Sequence, residues 1–311
     1  MSYHTLALLI TNTCNSNCPH CIAKSSPSAK GTMDILHIEQ IIKSSFSHVN
    51  GISITGGEPL IFPDLCLKTI RLIKANKLRA YLVTNGFWGK DDRTADKIIN
   101  ALSDAGLNKL YISFDMFHDD PIELSTIESI IKKVLKTKVK FRIKHCGNTE
   151  DDQYKEIKKL AMKYRFKVRT QPLLPVGRGT NLYDMNKHIT FDEIQNGPCN
   201  NAYEPLVTPA GDLYTCCGPA LDCQKFSPLL LGNINCITVT EGLQKGSQDI
   251  FLQALSSIGP KKLIGMLSPT SRKIVEDKLF DCSRCLACRT LTDDNEIVKE
   301  LMQKIKLPQY L

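Results

Sequence analysis

Between residue 5 and about residue 175 the chain changes rhythm repeatedly. Short stretches rich in Leu, Ile, Val and Phe, several alternating with polar residues, are followed by longer stretches of helical periodicity. Alternation marks a strand with one buried face, and a three-to-four spacing marks an amphipathic helix. The pattern predicts strands at Thr5–Thr11, Gly51–Thr55, Arg79–Thr84, Leu110–Asp115, Lys138–His145 and Phe166–Leu173. Helices are predicted near Ile35–Phe46, Leu65–Ala75, Arg93–Ala105, Ile122–Leu135 and Asp151–Tyr164. Strands separated by such helices indicate βαβ units on a parallel sheet. Six units are too few to close an eight-unit barrel. The expected fold is therefore α/β, an open, partial (β/α)6 TIM-like barrel with its active site at the C-terminal ends of the strands.

The rhythm breaks at Pro175-Val-Gly-Arg-Gly179, and the chain beyond is rich in Cys, Pro and Gly. Residues 1–189 are assigned to the barrel and 190–311 to a smaller cysteine-rich unit, with helices near Gln248–Leu255 and Ser271–Leu279. No internal repeat or low-complexity tract interrupts either. A chain of 311 residues, 42% hydrophobic, can bury a large core. Its net charge of +8 is modest and spread out, without a dense basic tail. That balance can attract an acidic peptide or RNA, but it commonly reflects a solvated surface. No nucleic-acid recognition motif accompanies it. Neither a membrane span of about 18 apolar residues nor a cleavable signal is present. The thirteen cysteines are accordingly expected in a reducing cytoplasm, where clusters bind metal more often than they pair.

The first cluster reads Cys14-Asn-Ser-Asn-Cys18-Pro-His-Cys21. A 4Fe–4S cubane normally takes four thiolates, so three on one loop leave one iron open. An open iron can bind the amino and carboxylate groups of S-adenosylmethionine (SAM) and pass an electron to its sulfonium. Zinc, the competing reading, favours paired Cys-x2-Cys hairpins and a fourth ligand. At the end of the second strand stands Gly56-Gly57-Glu58-Pro59. Its glycines let backbone approach a ligand closely, and its carboxylate can accept from an ammonium; taken alone it is a plain turn. On strand four, alternation sends Ile112 and Phe114 to the helices and Ser113 and Asp115 to the lumen, unless the pair simply forms a strand-end turn. On strand five it sends Val139, Phe141 and Ile143 outward and Lys140, Arg142 and Lys144 inward. The other reading of that strand is an exposed edge guarded by lysines.

Over roughly residues 5–180 these motifs resemble the radical SAM superfamily. The resemblance implies a SAM-binding 4Fe–4S cluster on Cys14, Cys18 and Cys21. It sets His20 beside the adenine, the Gly56-Gly57-Glu58-Pro59 motif at the SAM amino group, and Ser113 and Asp115 near the ribose and carboxylate. Arg142 or Lys144 could pair with the SAM carboxylate, and Asn85 is counted with the cofactor-binding residues.

A second set comprises Cys199, then Gly211 followed after four residues by Cys216-Cys217, and finally Cys282-Ser-Arg-Cys285-Leu-Ala-Cys288. It resembles a twitch extension, the one-cluster relative of SPASM, which implies an auxiliary 4Fe–4S cluster. Cys199 and Cys216 would supply two ligands and the C-terminal triplet two more, with Cys285 and Cys288 favoured and Cys282 the alternative. Structural zinc is the competing occupant. Adjacent side chains in an extended segment point apart, so ligation by Cys216 would leave Cys217 a free thiol, able to give a hydrogen atom to a carbon radical. Its plainer reading is a small buried hydrophobe. Cys66, Cys146, Cys223 and Cys236 lack ligand spacing and are read as packing residues.

The Cys-Cys pair, the Asn85-Gly-Phe-Trp-Gly89 run and the C-terminal Cys-x2-Cys resemble, more loosely, the EpeE-type radical SAM peptide epimerases. That resemblance implies L-to-D epimerisation of a ribosomally synthesised precursor peptide, with Cys217 as second hydrogen-atom donor and a flavodoxin or ferredoxin supplying electrons. Thioether or carbon–carbon crosslinking of a peptide, chemistry on RNA or a small molecule, and a non-catalytic iron–sulfur carrier are the alternatives. Against the carrier stands the Gly-Gly-Glu-Pro motif. With the first cysteine at residue 14, no separate leader-binding domain is expected ahead of the barrel.

Overall fold

A computed structural model describes residues 3–305. Residues 1, 2 and 306–311, the outermost ends of the two expected units, lie outside them. Six parallel strands run β1 (Thr5–Leu9), β2 (Gly51–Thr55), β3 (Arg79–Thr84), β4 (Lys109–Ser113), β5 (Lys140–Cys146) and β6 (Lys167–Gln171). Between them lie α1 (Ile35–Ser45), α2 (Pro63–Ala75), α3 (Asp92–Asp104), α4 (Leu124–Val134) and α5 (Asp152–Tyr164). The spatial order of the six strands follows the sequence, as right-handed βαβ crossovers produce. The result is the partial (β/α)6 barrel.

Local chemistry explains the elements. Asp34, Asp91 and Asp151 cap α1, α3 and α5 by accepting from the backbone N–H of His37, Thr94 and Tyr154, satisfying donors that a helix start leaves free. On α4, Ile127, Ile130, Ile131 and Val134 form the buried stripe, at the spacing that lays one helix face on a sheet. The helices together cover a sheet face made of Leu6, Leu8, Ile52, Ile54, Ala80, Leu82, Leu110, Ile112, Phe141 and Ile143, all buried in one core. Strand alternation thus assigns the two faces as the sequence implied.

Residues beyond 190 extend the same sheet. β7 (Leu206–Val207) pairs parallel to β1, with Ala7 opposite Leu206, and β8 (Asp212–Tyr214) and β9 (Leu230–Asn233) follow antiparallel. The full order is β6-β5-β4-β3-β2-β1-β7-β8-β9. β5 is therefore an interior strand, which rules out the protected-edge reading; β6 is the edge, and its residues are nearly all exposed.

Among the described residues six further α-helices follow: α6 (Val239–Gln248), α7 (Ile250–Ser257), α8 (Gly259–Met266), α9 (Pro269–Glu276), α10 (Arg284–Thr292) and α11 (Asn295–Ile305). Only α7 and α9 match sequence expectations. The others are short, or, like α10, buried on several sides through Leu286, Ala287, Cys288, Thr290 and Leu291, so no stripe reveals them. Phe251 on α7 is fully buried among these helices. Truncating such a ring removes its transfer energy and leaves a cavity. Phe251→Ala should lower stability by about 3–5 kcal/mol, read as a shift of the denaturant midpoint.

Candidate active site

The polar motifs gather at the C-terminal end of the barrel strands. After β1 the chain is held open by its own hydroxyls. Thr11 Oγ1 lies 2.8 Å from Thr32 Oγ1 and accepts from Thr13 N, while Thr13 Oγ1 donates to Ala29 O. The loop that follows carries Cys14 and Cys18, both buried, and half-buried Cys21.

Gly56 and Gly57 are explained by backbone rather than by a ligand. A Cβ at Gly57 would lie 2.2 Å from Thr13 O, and one at Gly56 would lie 2.6 Å from Thr11 O. Their absence lets Gly57 N donate to Thr11 O at 2.7 Å and Glu58 N to Thr13 O at 2.9 Å. The motif thus fixes the end of β2 against the root of the cysteine loop. Glu58 is fully buried. Its carboxylate accepts from Leu60 N, Thr84 Oγ1 and Asn85 N, at 3.0, 2.8 and 2.7 Å. Burial pushes its pKa up to about 7 despite those donors. Pro59 opens the short turn that Glu58 caps. Asn85 also donates from Nδ2 to Asn15 Oδ1 within the cysteine loop, at 2.8 Å. Within the protein, Glu58 and Asn85 therefore bind β2, β3 and the cysteine loop to one another.

At the end of β4, Ser113 is half-buried, and Asp115, just beyond, is 2% exposed. Asp115 Oδ1 accepts from Phe117 N at 3.1 Å and lies 3.0 Å from His118 Nδ1 and 3.7 Å from His20 Nε2. His118 was not among the residues expected from sequence; its only signal was a histidine three positions after a strand-end aspartate. Burial opposes charge on both partners, yet their hydrogen bond prevails, holding the Asp115 carboxyl below its ordinary range and His118 above its own. Burial pulls His20 the other way. Its Nδ1 is buried without a hydrogen-bond partner.

The break at residues 175–179 clamps the first loop, which the sequence did not disclose. Arg178 donates from Nε to Cys18 O at 2.9 Å and from Nη2 to Ser25 O at 2.7 Å, and its backbone N–H reaches Cys21 O. Gly177, at φ +63°, passes so near Cys21 O and Ile22 O that a Cβ would lie 2.5 Å from each. Gly177 N in turn donates to Asp222 Oδ2 at 2.6 Å. Asp222 also pairs with Lys24 at 2.8 Å and lies 3.8 Å from Arg289. The clamp engages carbonyls and leaves the thiols alone. Burial raises Cys14 to about 11 and also raises Cys18. Cys14 feels both Cys18 and Cys21 electrostatically, and thiols gathered in this way fit a metal group that would hold them as thiolates.

In the second set, Cys199 and Cys288 are each close enough to Cys216 and to Cys285 to disfavour their mutual ionisation. Burial raises all four, and Cys288 is raised further by each of the other three. Half-buried Cys282 and Cys285 both lie within electrostatic reach of Tyr183, and the Cys282 carbonyl accepts from Gln195 N. Cys217 differs from Cys216. Burial raises its thiol, while the Lys144 ammonium and Arg169 oppose that shift and Glu204 adds to it. Lys144 is level with Ser113 in the sheet register, whereas Arg142 sits one row deeper, level with Tyr111. Cys66 is fully buried and Cys146 nearly so, but Cys236 is exposed and is not a packing residue.

One pH dependence follows from the Asp115–His118 pair. Since folding raises the His118 pKa, its stabilisation is complete below the ordinary histidine value of about 6.5 and is lost as pH rises through the folded value. Histidine-resolved NMR should find His118 titrating above that value and His20 below it. Asp115→Asn should return His118 toward normal and remove about 1–3 kcal/mol of stability near neutral pH.

Comparison with known proteins agrees with this geometry. YydG of Bacillus subtilis (strain 168), a protein provisionally assigned to peptide biosynthesis, is 24% identical over 223 residues, covering 70% of each chain. A GTP 3′,8-cyclase of Clostridium botulinum (strain Hall) is 28% identical over 203 residues, 61% of this chain and 62% of the cyclase. In fold, the chain is similar to Streptococcus suis SuiB bound to its precursor peptide SuiA, with a TM-score of 0.54 at 13% identity, covering 100% of this chain and 75% of SuiB. The model of the radical SAM superfamily matches residues 8–191. That stretch is more than half of the chain and nearly all of the barrel, so the chain belongs to the radical SAM superfamily.

Proposed function

We propose that this enzyme converts an L-residue of a ribosomally made peptide to its D-form. Membership in the superfamily brings SAM and one 4Fe–4S cluster. Peptide chemistry is supported by the likeness to YydG and by the SuiB–SuiA fold. The observation that carries epimerisation is the contrast between two neighbouring thiols. Cys216 stands with Cys199 and Cys288, whereas Cys217, though near Cys216 and Cys285, also faces Lys144 and Arg169 of the barrel strands. In this reading Cys199, Cys216, Cys285 and Cys288 hold an auxiliary 4Fe–4S cluster, with Cys282 the alternative ligand, and Cys217 keeps its hydrogen.

When bound, the cluster and SAM supply an electron and a deoxyadenosine-centred radical that removes a hydrogen atom from substrate. Cys14, Cys18 and Cys21 would hold that cluster, and Glu58, Ser113 and Asp115 would contact SAM. Burial raises the Glu58 pKa to about 7, and a nearby ammonium would favour its charged form. Asp115, already ionised against His118, offers an acceptor at the end of β4. Cys217 returns a hydrogen atom to the opposite face of the planar Cα. Its sulfur then takes one electron from a flavodoxin- or ferredoxin-type donor and one proton from water, restoring the thiol. Small-molecule chemistry is the second reading, favoured by the 28% identity to GTP 3′,8-cyclases.

Two measurements test the proposal. Reconstituted protein should hold about eight irons, as two four-iron cubanes require. Replacing Cys14, Cys18 and Cys21 with Ala should leave about four and abolish 5′-deoxyadenosine formation. Zinc in place of the second set of irons would refute the auxiliary cluster. In deuterated water, the product should carry one deuterium at Cα of a D-residue, because a thiol proton exchanges with solvent. Cys217→Ala should retain SAM cleavage yet lose the label and D-product together. A product lighter by two hydrogens would favour crosslinking instead.

A further inference from the structure

The chain's positive excess is concentrated, not spread as the sequence suggested. Pairing in the parallel sheet aligns inner-face residues of β3–β6 in rows. Tyr81, Lys109 and Lys140 share one row; Val83, Tyr111, Arg142 and Lys167 share the next; Ser113, Lys144 and Arg169 form a third. With Arg79 at the start of β3, this face carries seven cations and no acidic residue. Asp115 lies just beyond β4 and is already engaged by His118. Among the described residues, none of the seven makes an ion pair with a carboxylate. Glu204 is within electrostatic reach of Lys144.

Like charges on neighbouring strands repel. Lys109 registers that repulsion: burial lowers its pKa, and Arg142, Lys140 and Arg79 lower it further. Tyrosines hold the ammonium groups over the sheet. Lys109 Nζ lies 4.9 Å from the Tyr81 ring centre and 5.5 Å from that of Tyr111, and Lys144 Nζ lies 5.4 Å from Tyr111. Each contact offsets part of the cost of a half-buried cation. Lys109, Arg142 and Lys144 are half-buried, while Arg79, Lys140, Lys167 and Arg169 are exposed. The charge therefore runs from solvent toward the strand ends that carry the site.

We propose that the inner face of β3–β6 is a track for an acidic segment of the peptide substrate, whose carboxylates meet Lys109, Arg142 and Lys144 inside the barrel. The inference rests on the reading that the substrate is a peptide, and it holds for epimerisation and crosslinking alike. Along a strand, same-face cations repeat about every 6.6 Å, the spacing of alternate side chains in an extended peptide. An extended segment with Asp or Glu at every second position matches that lattice. It also supplies the missing counter-charge, and the exposed cations would speed its capture.

Anaerobic, reconstituted full-length protein can be titrated with three fluorescent peptides of one length, bearing Glu, Gln or Lys at alternate positions. Oligouridylate and GTP serve as competitors. The Glu peptide should bind at least about tenfold more tightly than the Gln peptide at low salt, with the preference shrinking at high ionic strength. Combined Arg79→Gln, Lys140→Gln and Lys167→Gln changes should reduce that preference about tenfold, while substrate-independent 5′-deoxyadenosine formation and circular dichroism stay unchanged. Lys109→Gln alone, inside the barrel, should weaken the Glu peptide in the same direction. Equal binding of Glu and Gln peptides, or an unchanged preference in the triple variant, would overturn the track. If the Gln peptide binds as well as the Glu peptide, the peptide reading survives and only the track fails. If oligouridylate or GTP binds and no peptide does, both fail.

Discussion

The close approach of the β2 end to the root of the cysteine loop is the contact on which the site depends. Two backbone hydrogen bonds, from Gly57 to Thr11 and from Glu58 to Thr13, form only because Gly56 and Gly57 lack side chains. That approach carries the Glu58 carboxylate into the core, where it binds Thr84 and Asn85 at the end of β3. Asn85 then reaches back to Asn15 beside the first cysteine. A buried carboxylate is costly unless its lone pairs are filled, and here three donors fill them. The ends of β1, β2 and β3 are thus a single hydrogen-bonded unit, and any shift in one would unpair groups in the others.

A second fastening works from outside the barrel. Arg178 seizes the carbonyls of the cysteine loop, Gly177 passes close beside them and donates to Asp222, and Asp222 joins this segment to Lys24 and to Arg289 of α10. Arg289 follows Cys288 directly, so one carboxylate stands between the surroundings of the two cysteine sets. Asp222 is 11% exposed; ionic contacts in such a setting fix geometry more than they add stability.

The barrel was legible in the sequence because its strands alternate and its helices carry clear stripes. β2 and β3 match their expected bounds residue for residue. The chemistry-bearing spacings were legible too, since Cys14, Cys18, Cys21 and Gly56-Gly57-Glu58 fall at strand ends. Other features were hidden. The two-residue β7 is defined by its partner, not by its own pattern, and α10 has no polar face broad enough to create a stripe. Arg178 looked like part of a linker because its bonds reach residues 153 and 160 positions away. The glycines of the β2 turn were recognised as close-approach residues, but the chain they approach could be known only from the fold. Charge misled for a related reason: single lysines and arginines dispersed along four strands become neighbours only when the register is set.

The continuation of the sheet through β7 makes the molecule one-sided. β1 would be an open margin in a six-strand barrel, yet β7, β8 and β9 cover it with hydrogen bonds. At the far margin β6 has no further strand beside it and is exposed along most of its length. The two sides of the barrel sheet therefore differ in kind: beside β1 the chain's own later strands continue the hydrogen bonding, while among the described residues β6 ends the sheet with Lys167 and Arg169 turned to solvent. On the proposed peptide reading, that margin is the one where cations would stand first in the path of an acidic guest.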